Sequence, residues 1–365
     1  MTAADRLAPP AEASPLVLAD WAEALMMLED ADDLAATEIR RRLRDTGVLE
    51  ADVEERDERA AEEEEATLGY DEDAADREDD RVEEVLDASP VIEMLLEEVS
   101  RRRNLAPCVY PWQRDGARIE RAEPAPRSDS VYEFLRWLAL EGTPFRRRRQ
   151  WSQAEWAFDG IVALALRAYL GPKGRALAFA RPAAARQGPD VRPVSFPKAV
   201  EWLADQLRLD PGTQVARAAR NDGGVDVILW RPFDADHSAG CPFLLAQCTF
   251  RRDWHRKGRD IVIDTWRSWI AFAKDPITAL AVPFCLADDD ERRPEIETEV
   301  WLVLDRMRIC ELLCDADPDE LAALHGLDLA DWLRDQIGDF DPSAPEADAD
   351  DDVGAEYPFV DEQAA

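Results

Sequence analysis

The chain has 365 residues and a formal charge of −35, from 79 Asp and Glu against 44 Lys and Arg. Hydrophobic residues at 46% and 12 tryptophans exclude a wholly disordered chain, and the length allows two domains with at least one sizeable core. The acidity does not exclude a polyanionic partner, because it belongs to the ends: 101–300 carries 32 Lys and Arg against 27 Asp and Glu, whereas the flanks carry 12 against 52.

Residues 1–105 read as an acidic, mostly helical region. The opening MTAADRLAPPAEASP has no basic stretch leading into an apolar core, so it is not read as a signal peptide. Leu16, Leu18, Trp21, Leu25, Leu28 and Leu34 recur at near-helical spacing, with Gly47 as a stop. The run from Glu50 to Asp87 is almost solid charge, with little apolar surface to offset ordering entropy, and VIEMLLEEVSRRR then resumes an amphipathic pattern. Such a region serves either as a solvated surface or as an arm for a protein partner.

Residues 106–195 read as a helical middle region packed on the core. SVYEFLRWLALEG is one helix, and Ile161, Val162, Leu164, Leu166 and Leu170 mark a second, deeply buried one ending near Gly171. Arg146, Arg147, Arg148 and Arg149 form the densest basic cluster and are flanked by Trp151 and Trp156. Basic side chains interleaved with aromatics suit a phosphate backbone or unstacked bases; the alternative is an exposed loop paired with the acidic flanks.

Residues 196–337 alternate helix and strand, which predicts an α/β domain. Phe196, Val200, Leu203 and Leu207 give an amphipathic helix. Strands are expected at TQVARAAR, VDVILWRPF, FLLAQCTF, TALAVPFCL and TEVWLVL, with a helix across DIVIDTWRSWIAFAKD. Residues 338–365 read as an acidic disordered tail. No apolar run approaches a membrane span. The six cysteines include no CxxC pair, so a closed zinc site is not expected, and the chain reads as a reduced, cytoplasmic protein with no membrane partner.

The residues that carry chemistry stand in RNDGGVDVILW and LLAQCTF. Side chains alternate along a strand, so Asp226 shares a face with Ile228 and Trp230, and Gln247 shares one with Leu245 and Thr249. If the two strands pair, Asp226 and Gln247 meet near the sheet edge, where a carboxylate and an amide oxygen suit a hard divalent ion such as Mg²⁺ or Mn²⁺. Asp222 in the preceding turn and Glu201 on the preceding helix are candidates to complete the shell. The alternative is a plain NDGG turn, with Gln247 hydrogen-bonded within the sheet. Cys248 points to the opposite face and reads as core; His237 and His255 read as surface residues.

NDGGVDV followed by QCT resembles the PD-(D/E)xK nuclease superfamily, in particular its Mrr-like restriction branch, in which a DGGxD turn-strand precedes a strand bearing QxK. FPKAVEWLADQLRL is similar to that family's first helix, with Glu201 near its acidic position, and QCTFRRDWHRKGRDI is similar to a variant in bacterial defence proteins. The likeness covers roughly 195–310. It implies a restriction endonuclease-like mixed sheet flanked by helices and Mg²⁺- or Mn²⁺-dependent hydrolysis of phosphodiester bonds, usually in DNA, as a restriction or anti-phage effector. Asp226 would then be the principal metal ligand, with Gln247 and the Cys248 carbonyl beside it, and Arg251, Arg252 and Arg256 would grip phosphates. One departure matters: Thr249 stands where the family's lysine is expected. Either Lys257 or Arg256 supplies the charge from the following helix, or the domain has lost catalysis and kept binding, as a nucleic-acid-binding or scaffold subunit.

Overall fold

The fold was analysed in a computed structural model of the chain. It describes residues 14–45, 90–126, 128–140, 148–180, 192–214, 223–232, 242–251, 253–287, 293–317 and 329–338, with isolated positions besides. The charged run 51–89 and the acidic tail 339–365 lie outside the described residues, as do Asp222, His237, Arg146, Arg147 and Arg252.

Helices α1 (Pro15–Glu29), α2 (Ala36–Asp45), α3 (Pro90–Leu105) and α4 (Asp129–Leu138) surround a small antiparallel sheet. Its strands β1 (Asp33–Ala35), β2 (Trp112–Asp115) and β3 (Arg118–Arg121) run in the order β1-β3-β2. These three strands fall in segments read from sequence as helical. They are short, and β2 turns into β3 through Gly116, whose φ of 54° needs a residue without a β-carbon.

Helix α5 (Arg148–Leu170) leads into a five-stranded mixed sheet: β4 (Arg175–Ala178), β5 (Val227–Trp230), β6 (Phe243–Cys248), β7 (Ile277–Ala281) and β8 (Leu302–Leu304), side by side in that order. The first three strands form an antiparallel meander, and β7 and β8 run parallel to β6. Parallel neighbours need crossovers. A 3₁₀ helix (Trp254–Asp260) and α7 (Ile263–Trp269) join β6 to β7, α8 (Arg293–Glu299) joins β7 to β8, and α9 (Arg306–Cys314) follows β8. Helix α6 (Phe196–Leu207) sits between β4 and β5 in sequence, and α10 (Leu329–Gly338) closes the described chain.

The mixed α/β class thus holds, with differences in the elements. The edge strand is β4, in a stretch punctuated by Gly and Pro, whereas Thr213, Gln214 and Ala216 of the expected strand TQVARAAR form no strand. The expected helix across 260–275 divides: Asp260 ends the 3₁₀ helix, and α7 stops at Trp269 because Ile270 bridges to Pro211. In TEVWLVL, Thr298 and Glu299 finish α8, and the strand begins only at Leu302.

Strand alternation sorts the apolar residues into two layers. Val227, Leu229, Leu244 and Ala246 join a core with Phe158, Ile161, Val162 and Leu166 of α5. Ile228, Trp230, Phe243 and Leu245 join a second core with Phe196, Val200 and Leu203 of α6 and Trp266 of α7. The first core continues through Leu18, Leu25, Leu95 and Phe134, so the amino-terminal helices and the larger sheet share one apolar interior.

A buried ionic network crosses the same boundary. Arg102, fully buried, donates to Glu23 at 2.8 Å, to Asp20 at 2.6 Å and to Glu98 at 2.8 Å. Tyr110 and Tyr132 donate to the two oxygens of Glu23 at 2.7 and 2.9 Å. Arg306, at the start of α9, also donates to Asp20, and to Cys285 Sγ at 2.8 Å. Burial pushes the Asp20 carboxyl up, but the guanidiniums of Arg306, Arg102 and Arg136 outweigh it and hold the group well below the usual carboxylate range. Three arginines facing three carboxylates leave little uncompensated charge, which is what burial of so many ions requires. Next to this network Cys108, in the turn after α3, forms a disulfide with Cys314 at the end of α9, their Cα atoms 5.4 Å apart. The expectation of wholly reduced cysteines therefore fails at this pair, because the fold brings together residues 206 positions apart. No helix among the described residues is long and apolar enough to cross a membrane.

Candidate metal centre

The turn before β5 sets the site. Gly223 and Gly224 have φ of 62° and 76°, the left-handed region that favours glycine. Space demands glycine as well: a β-carbon on Gly224 would lie 2.1 Å from the Asp260 carbonyl oxygen, and one on Gly223 would lie 2.8 Å from the Trp269 ring. Trp266 Nε1 donates to the Gly223 carbonyl at 3.1 Å. The turn is thus clamped between the 3₁₀ helix and α7, and it delivers Asp226 to the very start of β5.

The register of β5 and β6 pairs Val227 with Ala246, which carried one step further sets Asp226 opposite Gln247. Their side chains meet: Gln247 Nε2 donates to Asp226 Oδ2 at 2.6 Å, and the Cys248 backbone N–H donates to the same oxygen at 2.7 Å. Cys248, on the opposite face from Gln247, packs against the α5 core as expected. It also belongs to the site. One ligand atom each from Asp159, Asp226 and Cys248 lies within 4.8 Å of the other two.

Asp159 was not anticipated from sequence. It lies in the middle of α5, only 4% exposed, and that helix packs along β4, β5 and β6. Its sequence signal was an acidic residue set between Phe158 and Ile161, inside the buried stripe of the helix rather than on its polar face. Burial, the charges of Asp159 and Asp226 and a hydrogen bond to Asp159 all push the Cys248 thiol well above its ordinary range.

The other expected residues are distributed differently. Glu201 is exposed: α6 buries Ala199, Val200, Leu203 and Ala204, and Glu201 lies off that face and outside the three-residue group. Thr249 is buried, with its N–H donating to Ala281 at 3.0 Å and its hydroxyl accepting from the Arg251 N–H. Lys257 is on the 3₁₀ helix and donates to Asp260 at 3.0 Å. Because Asp260 is the residue that abuts Gly224, this ion pair stands beside the turn, two residues from Asp226. Arg251 is half-buried and Arg256 exposed. Arg148 and Arg149 open α5, with side chains outside the described residues. His255 is half-buried rather than superficial, and its Nδ1 is buried with no hydrogen-bond partner among the described residues.

The donor set fits a hard divalent cation. The Asp159 and Asp226 carboxylates supply oxygens, as Mg²⁺ and Mn²⁺ require, whereas Gln247 turns its amide N–H towards Asp226. The Cys248 sulfur is a soft atom that such ions take poorly, and it is hydrogen-bonded to Asp159. No family model, curated protein or solved structure matches this chain.

Proposed function

We propose that the chain hydrolyses phosphodiester bonds of nucleic acid, DNA in the first instance, with a divalent cation held by Asp159 and Asp226, in the manner of the restriction and defence nucleases it resembles. The observation that carries this reading is the convergence of the two carboxylates on the end of a paired strand couple, with Gln247 fixing Asp226 at 2.6 Å. A meander followed by a crossover to a parallel strand is also the kind of mixed sheet that the resemblance implies. A bound cation at this point would lower the pKa of its water and offset charge on the phosphate. The chain's own residues do the rest. Asp159 and Asp226 hold the ion, Gln247 and the Cys248 N–H orient Asp226, and Lys257 with Arg256 brings positive charge to the phosphate from the 3₁₀ helix.

A second reading, a binding or scaffold subunit without catalysis, is favoured by one feature. Lys257, on the 3₁₀ helix that abuts the turn, is already paired with Asp260, and the strand position carries Thr249. Calorimetric titration with Mn²⁺ addresses the metal site on which catalysis depends. Binding by the wild type and its loss in both Asp159→Ala and Asp226→Ala is the expected result; equal heats from all three proteins would remove the catalytic reading.

A further inference from the structure

Helix α5 runs alongside β5 in the same direction: Asp159 meets Asp226 at the start of the strand, and the Leu170 carbonyl accepts from Arg231 just past its end at 3.0 Å. Residues 148–158 therefore extend beyond the end of the sheet that holds the carboxylates, a span of roughly 16 Å at 1.5 Å per residue. One side of this overhang is packed, with Ala154 and Ala157 buried and Phe158 edge-on to Phe250. Trp156, on another side, is 51% exposed. It precedes Asp159 by three residues, so the two project about 60° apart on neighbouring turns.

Trp156 thus leaves half of a large flat ring open to water one helical turn from the buried Asp159. We infer that Trp156 is a stacking platform for an unpaired base next to the scissile phosphate, which makes the substrate a nucleic acid that is single-stranded or locally opened at the cut. Three features single out a base. The ring is broad, flat and open; it lies one turn from the proposed metal ligands; and the same helix begins with Arg148 and Arg149, whose charge suits the backbone flanking a stacked base. A duplex keeps its bases stacked on each other and offers this ring only a backbone.

This inference rests on the proposed nuclease site, but its test does not need cleavage. Fluorescence anisotropy with a labelled single-stranded oligonucleotide, full-length protein and no divalent metal reads binding alone. Stacking of one base is worth about 1–3 kcal/mol, so Trp156→Ala should weaken binding about tenfold or more, and Trp156→Phe should recover much of it. An abasic strand should bind the wild type more weakly and be indifferent to Trp156→Ala. Because the ring is exposed, the variant's melting temperature should stay near the wild-type value. Wild type that binds no single strand, or a Trp156→Ala protein that binds the base-bearing strand as wild type does, overturns the inference, as does equal weakening for both strands. If the wild type binds through Trp156 yet cuts nothing, the catalytic reading falls and this one stands. If it cuts while Trp156→Ala binds and cuts single strands normally, the reverse holds.

Discussion

Gln247 donates its amide to the Asp226 carboxylate at 2.6 Å, across two strands whose register sets them face to face. A neutral amide is what lets a second polar side chain stand so close to a carboxylate without a bound cation. Gln247→Glu replaces that donor with a like charge. Without metal, the change should cost about 2 kcal/mol, the size of a lost hydrogen bond to an ion. Added Mn²⁺ should raise the variant's melting temperature more than that of wild type, because the site gains an anionic ligand. A variant as stable as wild type and indifferent to Mn²⁺ would mean that no cation enters between these groups.

Gly224 and Gly116 share a positive φ but not their surroundings. A β-carbon on Gly116 would meet nothing within 4 Å, whereas one on Gly224 would strike the Asp260 carbonyl. Gly116→Ala should therefore cost about 1 kcal/mol, the backbone strain alone. Gly224→Ala should cost clearly more and displace the 3₁₀ helix that carries Lys257. Equal denaturant midpoints for the two variants would contradict the packing of Asp260 on the turn.

Arg101 and Arg102 are neighbours that both bond to Glu98, yet their environments differ. The Arg101 side chain is 54% exposed and that of Arg102 is 0%. Arg101→Ala should change stability by less than about 1 kcal/mol. Arg102→Met leaves the buried Glu23 and the half-buried Asp20 with one guanidinium fewer and should cost about 3–5 kcal/mol. Chemical denaturation of the two variants decides it, and comparable losses would show that the network is not a buried one.

The same network predicts acid sensitivity. Asp20 and Glu98 are each pushed up by burial and pulled down further by their arginines, so both folded values lie below the unfolded ones. A depressed carboxyl contributes stability that is present above its unfolded value, about pH 4, and lost as pH falls through the folded one. Glu133, raised mainly by burial, acts in the opposite sense and offsets part of this. The melting temperature should therefore fall below about pH 4, and a flat profile from pH 6 to pH 3 would contradict the pairing. At the alkaline end the buried Cys285 thiol is pushed up to about 12, so its contribution is full below the unfolded value and fades as pH rises towards 12.

What could be read from the sequence follows the range of the forces involved. The runs VILW and FLLA declare two buried strands, and alternation alone brings Asp226 to Gln247, since both inferences use neighbouring residues. Asp159 escaped because its partners are 67 and 89 positions away, and a lone aspartate in a long helix looks like part of a solvated face. The exposure of Glu201, by contrast, is legible in the helical phase of Val200, Leu203 and Leu207, which turns it outward. Strand β4 was hidden by its length of four residues between Gly174 and a Pro-rich stretch, and its pairing with β5 is a tertiary fact. The Cys108–Cys314 bond and the buried arginines belong to the same class, contacts between distant segments whose local sequence reads as surface.

Lys257 carries the catalytic charge in the proposed reading, and Asp260 is its present partner. The most direct measurement is cleavage of plasmid and single-stranded DNA by the full-length protein, with Mg²⁺, with Mn²⁺ and with chelator, across wild type, Asp226→Ala, Asp159→Ala and Lys257→Ala. Wild type should cut in a metal-dependent way and neither aspartate variant should cut, while Lys257→Ala should turn over about a hundredfold or more slowly and still bind Mn²⁺. Cutting by Asp226→Ala at the wild-type rate, or no cutting by wild type with either metal, would contradict the proposed reading.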